Sequence, residues 1–287
     1  MNVPYPIERL EIPPRLREIP DAPKQLTVRG TYPDDTRRYI AVVGSREYTP
    51  YGQQVCERII RGLSGYPVVI VSGLALGIDG IAHRSALDAG IPTVAVPGSG
   101  LDDTVLYPAT HRRLARDILD AGGALVSEFA PHWKPRPESF PQRNRIMAGM
   151  CHAVLVIEAT IRSGTLITAR LASEYCRDVL AVPGPVHAST SAGPHMLIQK
   201  GAYLITDSND VLEALAIDPN ATPRDTSVAA SSPLEERVLS LLTSPIPRDE
   251  LLASLALPVS EMNALLASLE IKGLIEERLG MVHRSVR

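Results

Sequence analysis

Six short apolar runs, each closing on small residues, occupy positions 39–45, 68–73, 93–100, 124–128, 154–159 and 179–184 of this chain. Runs of four to eight residues without polar alternation suit strands buried on both faces, the hallmark of a parallel sheet. Between them lie helical patterns at 50–64, 79–89, 108–120, 141–151, 166–177, 194–200 and 209–215. Leu166, Ala169, Ala172 and Cys176, for example, recur at helical spacing. Strands alternating with helices give right-handed βαβ crossovers, so residues 39–217 are expected to form one α/β domain with a mostly parallel sheet. Ligands of such sheets sit outside the strand carboxyl ends, where glycines admit close approach and helices begin.

The flanks read differently. Residues 1–38 carry Pro4, Pro6, Pro13, Pro14, Pro20, Pro23 and Pro33, which break helices, so a strap lying on the main domain is expected. Residues 218–233 are rich in Pro, Ser, Thr, Ala and Asp without apolar periodicity and read as a linker. Residues 234–287 show helical patterns at 234–242, 248–254 and 260–272, the last with Met262, Leu265, Leu266 and Leu269 on one face and Gly273 as its cap. A hairpin at 274–277 and 281–284 about Gly280 completes a small winged helix. Its third helix turns Glu261, Asn263, Ser268 and Glu270 outward, which favours protein contact or an accessory role over reading DNA.

A formal charge of −3 over 287 residues means that any polyanion must be held by a local patch. One such stretch runs from Pro131 to Arg145, with Lys134, Arg136, Arg143 and Arg145 opposed by Glu138 and with Trp133 and Phe140 interleaved. Cations beside aromatics suit single strands. No apolar run approaches the roughly 18 residues of a membrane span and no leader pattern opens the chain, so a cytoplasmic protein without membrane contact is expected. Cys56, Cys151 and Cys176 lack metal-ligand spacing and read as buried or inert thiols.

Four strand endings carry chemistry. Arg46, after Gly44-Ser45, can offer a planar fork to a phosphate. In 72–83, Gly73 and Gly77 permit a tight turn, Asp79 is placed to cap the next helix, and His83 reads as a structural histidine. Pro141 can start a helix whose first turns present Arg143, Asn144 and Arg145 to an anion. Ser163-Gly164-Thr165 leaves room for a phosphate against a helix beginning near Thr165, and Glu158 is the best isolated acid or base. Absent are a P-loop, a Gly-x-Gly-x-x-Gly fingerprint, a nucleophile elbow, a His-Glu-x-x-His motif and paired carboxylates, which disfavours ATP-driven, nicotinamide and metal-dependent chemistry. No cofactor is expected.

Taken in order, Gly44-Ser45-Arg46, the run from Ser72 to His83, Gly98 to Pro108 with its Tyr-Pro, Phe140-Pro-Gln-Arg-Asn-Arg-Ile146, and Glu158-Ala with Ser163 to Ala169 resemble the DprA/Smf DNA-processing family over roughly residues 13–215. The resemblance implies an extended Rossmann-like domain that binds single-stranded DNA, forms a homodimer and loads the RecA recombinase in natural transformation, without catalysis. Its DNA pocket would use Arg46, Arg143 and Arg145, with Ser163 and Gly164 lining it, and Ser45, Tyr107, Phe140 and Asn144 are expected to join them in binding DNA. Two departures stand out: Tyr107-Pro108 is followed by Ala109, Thr110 and His111 where the family usually has asparagine with lysine nearby, and His195 replaces a usual asparagine. The family's common amino-terminal helical domain is expected to be absent, with only the proline-rich lead-in in its place. The alternative from another class is a nucleotide phosphoribohydrolase-like enzyme using Glu158 and Arg143, although the Ser163 turn lacks that family's double glycine and acid.

Overall fold

The computed structural model describes residues 5–219, 233–242, 246–255, 259–271, 275–278 and 281–284. It divides into two units, 1–224 and 225–287.

The first unit is built on a nine-stranded sheet. In chain order its elements are β1 (Ile7–Leu10), α1 (Pro14–Arg17), β2 (Leu26–Gly30), β3 (Arg38–Val43), α2 (Pro50–Gly62), β4 (Val68–Ser72), α3 (Ile78–Asp88), β5 (Thr93–Ala95), α4 (Arg112–Asp120) and β6 (Ala124–Ser127). Then follow α5 (Ser139–Met150), β7 (Ala153–Val156), α6 (Thr165–Glu174), β8 (Asp178–Ala181), α7 (Ala192–Gln199), β9 (Tyr203–Leu204) and α8 (Ser208–Ala214). The strand order is β1-β2-β6-β5-β4-β3-β7-β8-β9, and every pair from β6 to β9 is parallel. The six apolar runs are thus six adjacent strands of this α/β sheet.

The apolar runs are continuous because both sheet faces are covered. On β3, Ile40 and Val42 face a core shared with Ile59 and Ile60 of α2 and Ile81 of α3. Tyr39, Ala41 and Val43 face the opposite core with Ile146 and Met147 of α5 and Ala169 of α6. This two-residue alternation is the geometry of a pleated strand.

The proline-rich beginning departs from expectation. Rather than lying on the domain as a strap, it supplies two strands: β2 pairs antiparallel with β6 (Thr27 opposite Ser127) and β1 pairs with β2. Prolines interrupt this segment without preventing β2, since none falls within Leu26–Gly30. Leu16 of α1 is fully buried and approaches α5 at Gly149, where an added Cβ would meet Leu16 Cδ1 at 2.7 Å.

The second unit contains α9 (Pro233–Leu241), β10 (Ile246–Pro247), α10 (Arg248–Leu255), α11 (Val259–Ile271), β11 (Ile275–Arg278) and β12 (Met281–Arg284), with strand order β10-β12-β11. Val238, Leu251, Leu266, Leu269 and Val282 form its core, so three helices and a wing are present. The short β10 strand is additional to the hairpin read from sequence. On α11, Glu261, Asn263 and Glu270 are exposed and Ser268 is half-buried. Gly273, Gly280 and residues 220–232 of the linker lie outside the described residues.

The chain runs outward from β3 through β4, β5 and β6, then returns to the other side of β3 at β7. A parallel sheet has its crevice at such a reversal, because consecutive connections leave on opposite faces and part the loops there.

Candidate nucleic-acid interface

Beyond the carboxyl ends of β3 and β7 lies an open cavity of about 700 Å³. The β3 loop contributes Ser45, Arg46 and Glu47, the β7–α6 connection Thr160, Ser163, Gly164 and Thr165, and the start of α5 Phe140, Arg143 and Asn144. Segments far apart in sequence therefore meet at the crevice that topology dictates.

The β3 loop is folded to project its arginine. Ser45 Oγ donates to Glu47 O at 2.6 Å and accepts from Glu47 N at 3.1 Å, closing a turn around Arg46. Gly77 is required beneath it, since it adopts φ +79° and any Cβ would stand 2.2 Å from Ser45 O. The exposed Arg46 guanidinium carbon lies 5.5 Å from the Phe140 ring centroid. Phe140 in turn meets Tyr107, with centroids 5.7 Å apart and planes at 57°. Tyr107 is exposed beside Phe140 rather than lining the cavity.

Arg143 does not present itself as the motif suggested. It is only 5% exposed, and its Nη1 donates to Gly73 O at 2.6 Å and to Val96 O, while Nε reaches Asn144 Oδ1 at 3.3 Å. Burial pushes its pKa down to about 10, opposed by the Asp79 charge, so it stays cationic at neutral pH. Asp79 is likewise no helix cap. It sits inside α3, and its Oδ2 accepts from Gly73 N at 3.0 Å and Ala75 N at 3.4 Å. Together they brace the 73–77 turn from below, and both border the cavity.

Arg145 points elsewhere. It pairs with Glu128, donates to Asp21 O at 2.5 Å, and approaches Asp21 Oδ2 at 3.8 Å, fastening the lead-in to α5. Of the basic stretch, Lys134 is exposed and Arg136 sets its guanidinium over Trp133, while Arg143 and Arg145 are turned inward. Cys56 and Cys151 are buried, but Cys176 is exposed, because it lies in the turn that follows α6.

Glu158 is also committed. Its carboxylate accepts from Thr49 N at 2.9 Å and Thr49 Oγ1 at 2.5 Å, with Thr190 Oγ1 at 3.3 Å, and it is 3% exposed. It holds the N-cap of α2 and does not line the cavity, which removes the acid on which the phosphoribohydrolase alternative depended. His83 is buried with Nδ1 2.8 Å from Thr93 Oγ1, and burial pushes its pKa down to about 3. His111 Nδ1 lies 2.9 Å from Leu74 O and His195 Nε2 3.0 Å from Gly184 O, so both departures from the family pattern are engaged by backbone.

The turn before α6 keeps space open. Ser163 Oγ accepts from Thr165 N at 3.2 Å, and Thr165 Oγ1 donates to Gly44 O at 2.9 Å, pinning the helix start to β3. An added Cβ on Gly164 would meet nothing within 4 Å. Residues the sequence did not single out also border the cavity: Glu47, Pro137, Thr160 and Thr168. Asp79, read as a cap, borders it too and had a signal, being the first carboxylate after the Gly73–Gly77 turn; the threonines had none beyond lying near a strand end.

With an Arg–Phe pair on a cavity wall, an amide at Asn144 and a braced 73–77 turn, the site suits an anion carrying a planar group in spite of the chain's net negative charge. Among the described residues no helix is long and apolar enough to cross a membrane, and no cluster could hold a metal ion.

Comparison with known proteins agrees with this architecture. Residues 5–216 match the family described as DNA recombination-mediator protein A, and residues 221–281 match the DprA winged helix domain. Protein Smf of Escherichia coli is 40% identical over 273 residues, covering 92% of this chain and 72% of that protein. DNA processing protein DprA of Streptococcus pneumoniae is 46% identical over 199 residues, 69% of this chain and 68% of the other. The X-ray structure of the Streptococcus pneumoniae protein superposes with TM-score 0.66 and 42% identity, covering 74% of each chain. A structure of DNA processing protein A from Helicobacter pylori, concerned with its single-stranded DNA binding mode, gives TM-score 0.65 and 30% identity over 75% of this chain and 98% of that one. On fold, motif order and these matches, the chain belongs to the DNA recombination-mediator protein A family of DNA-processing proteins.

Proposed function

We propose that this protein binds single-stranded DNA along the β3–β7 crevice, protects it, and as a homodimer delivers it to the RecA recombinase during natural transformation. The observation that carries the DNA-binding reading is the exposed Arg46 guanidinium set over the Phe140 ring at the mouth of the cavity. A phosphate takes the guanidinium edge while a base stacks beside the ring, a pairing that a duplex, with its bases stacked inside, cannot offer. The Helicobacter pylori relative, whose structure concerns single-stranded DNA binding, supports the same ligand class. Asn144, Ser163 and Gly164 border the path, with Tyr107 extending the aromatic edge. The reading assigns no bond-breaking step to any residue, and Arg143 and Arg145 act by holding the site's shape.

Two copies gripping one strand would raise avidity without new contacts, which is the physical use of a homodimer here. The direct test is competition between single-stranded and double-stranded oligonucleotides across a salt series. Preferential binding of the single strand with affinity falling as salt rises is expected; equal affinity for both, or none for either, overturns the reading. Light scattering checks the dimer, and RecA filament assembly on the delivered strand checks the recombinase step.

A further inference from the structure

The segment between the β6 strand and α5 is tied down along its length and carries the chain's single tryptophan on the surface. Trp133 is 40% exposed. One face stacks on Phe129, with centroids 5.8 Å apart and planes at 11°, and the Arg136 guanidinium carbon lies 5.0 Å from the Trp133 centroid. Backbone bonds hold this arrangement: Gly100 N donates to Trp133 O at 2.9 Å and Asp102 N to Pro131 O at 3.0 Å. Ser139 Oγ donates to Gly98 O at 2.6 Å, anchoring the far end. Gly100 lets the two loops touch, since a Cβ there would sit 2.1 Å from Pro131 O. Pro131, Pro135 and Pro137 further stiffen the segment, and Pro137 borders the crevice.

A packing role alone accounts for the Phe129 contact. It leaves unexplained why so much of a large aromatic is left to solvent beside a guanidinium, with Lys134 exposed next to it. Arg over Trp repeats the Arg46 over Phe140 pairing of the crevice, and both rings stand on the stretch from Pro131 to Arg145.

We infer that Trp133 and Arg136 form a second base-stacking station for single-stranded DNA, outside the crevice and along the strand's exit from it. This rests on the DNA-binding reading above and extends it. Arg136 swings from the ring to a phosphate as a base takes its place on the indole, so the cation and the aromatic are both used.

Because Trp133 is the only tryptophan, its emission reports this station alone. A fluorescein-labelled oligothymidylate is titrated with the full chain while anisotropy is read, and an unlabelled copy is titrated while indole emission is read. Quenching that saturates together with anisotropy is expected, as is a loss of affinity of roughly five- to 150-fold in Trp133→Ala, recovered largely in Trp133→Phe. An abasic strand of the same length should leave the emission unquenched, and Arg136→Ala should weaken binding while keeping the tryptophan and its Phe129 contact. Binding of the oligonucleotide with unchanged emission and unchanged affinity in Arg136→Ala overturns this inference and leaves the crevice reading intact. No rise in anisotropy with the unaltered protein overturns both.

Discussion

Arg143 Nη1 donates to the carbonyl oxygen of Gly73 at 2.6 Å, so the first arginine of the Phe-Pro-Gln-Arg-Asn-Arg segment is a structural brace beneath the β4–α3 turn. The three arginines expected at the pocket therefore divide into one that faces solvent, Arg46, and two that face the protein.

Arg143→Met should cost about 2–5 kcal/mol of stability, because it leaves buried carbonyls at Gly73 and Val96 unpaired and removes the cation facing Asp79. Arg46→Ala should change stability by less than about 0.5 kcal/mol yet lower single-stranded DNA affinity, and the salt slope should shrink by about 0.7 for each phosphate left unneutralised. Urea denaturation beside salt-dependent anisotropy checks both. A stable Arg143→Met with full loss of binding would return that arginine to the ligand.

Gly164 offers the opposite test. It sits in helical conformation at φ −59° with open space around its absent Cβ, so Gly164→Leu should fold normally, with stability within about 1 kcal/mol of the unaltered chain. Because Gly164 borders the crevice, an added side chain should narrow it, and single-stranded DNA affinity should fall about tenfold or more, equivalent to about 1.4 kcal/mol. Unaltered affinity would place the strand elsewhere.

Glu158→Gln should lower the stability of the α2 cap by about 1–2 kcal/mol, since Thr49 loses a charged acceptor for its N–H and hydroxyl. DNA affinity should stay as it was. Incubation of the unaltered protein with nucleoside monophosphates should release no free base; release that Glu158→Gln abolishes would revive a glycosidic reaction.

Acid should weaken the fold in a defined window. Burial pushes His83 down to about 3 and His152 down to about 4, from an ordinary value near 6.5. Between those values the unfolded chain binds protons that the folded chain refuses, so stability rises with pH and is lost progressively as pH falls from about 6.5 toward 4. Urea midpoints measured from pH 7 to 5 should decline over that range. Replacing His152 by Asn, which can still accept from Tyr39 N as Nδ1 does at 3.1 Å, should flatten the decline. An unchanged slope in that variant would assign the acid sensitivity elsewhere.

Strand placement was legible because it depends on local chemistry. A run such as Val68–Ser72 is buried at every position since both of its faces are covered, and that is written in consecutive residues. The crevice was legible too, because βαβ connectivity and the glycine-bearing endings at Gly44, Gly73 and Gly164 mark the carboxyl edge without reference to anything distant. The direction of each charged side chain was not. Arg145 is claimed by Asp21 and Glu128, and Arg143 by carbonyls 70 and 47 residues away, partners that no local spacing reveals. The same holds for β2, a short strand between prolines whose pairing partner, β6, lies about a hundred residues on. Sequence by itself determined the alternating layers and the strand edge at which the cavity opens, because burial imposes periodicity along the chain. Tertiary structure alone decided which cations at that edge stay open to solvent, because a buried charge is settled by whichever acceptors the finished fold brings beside it.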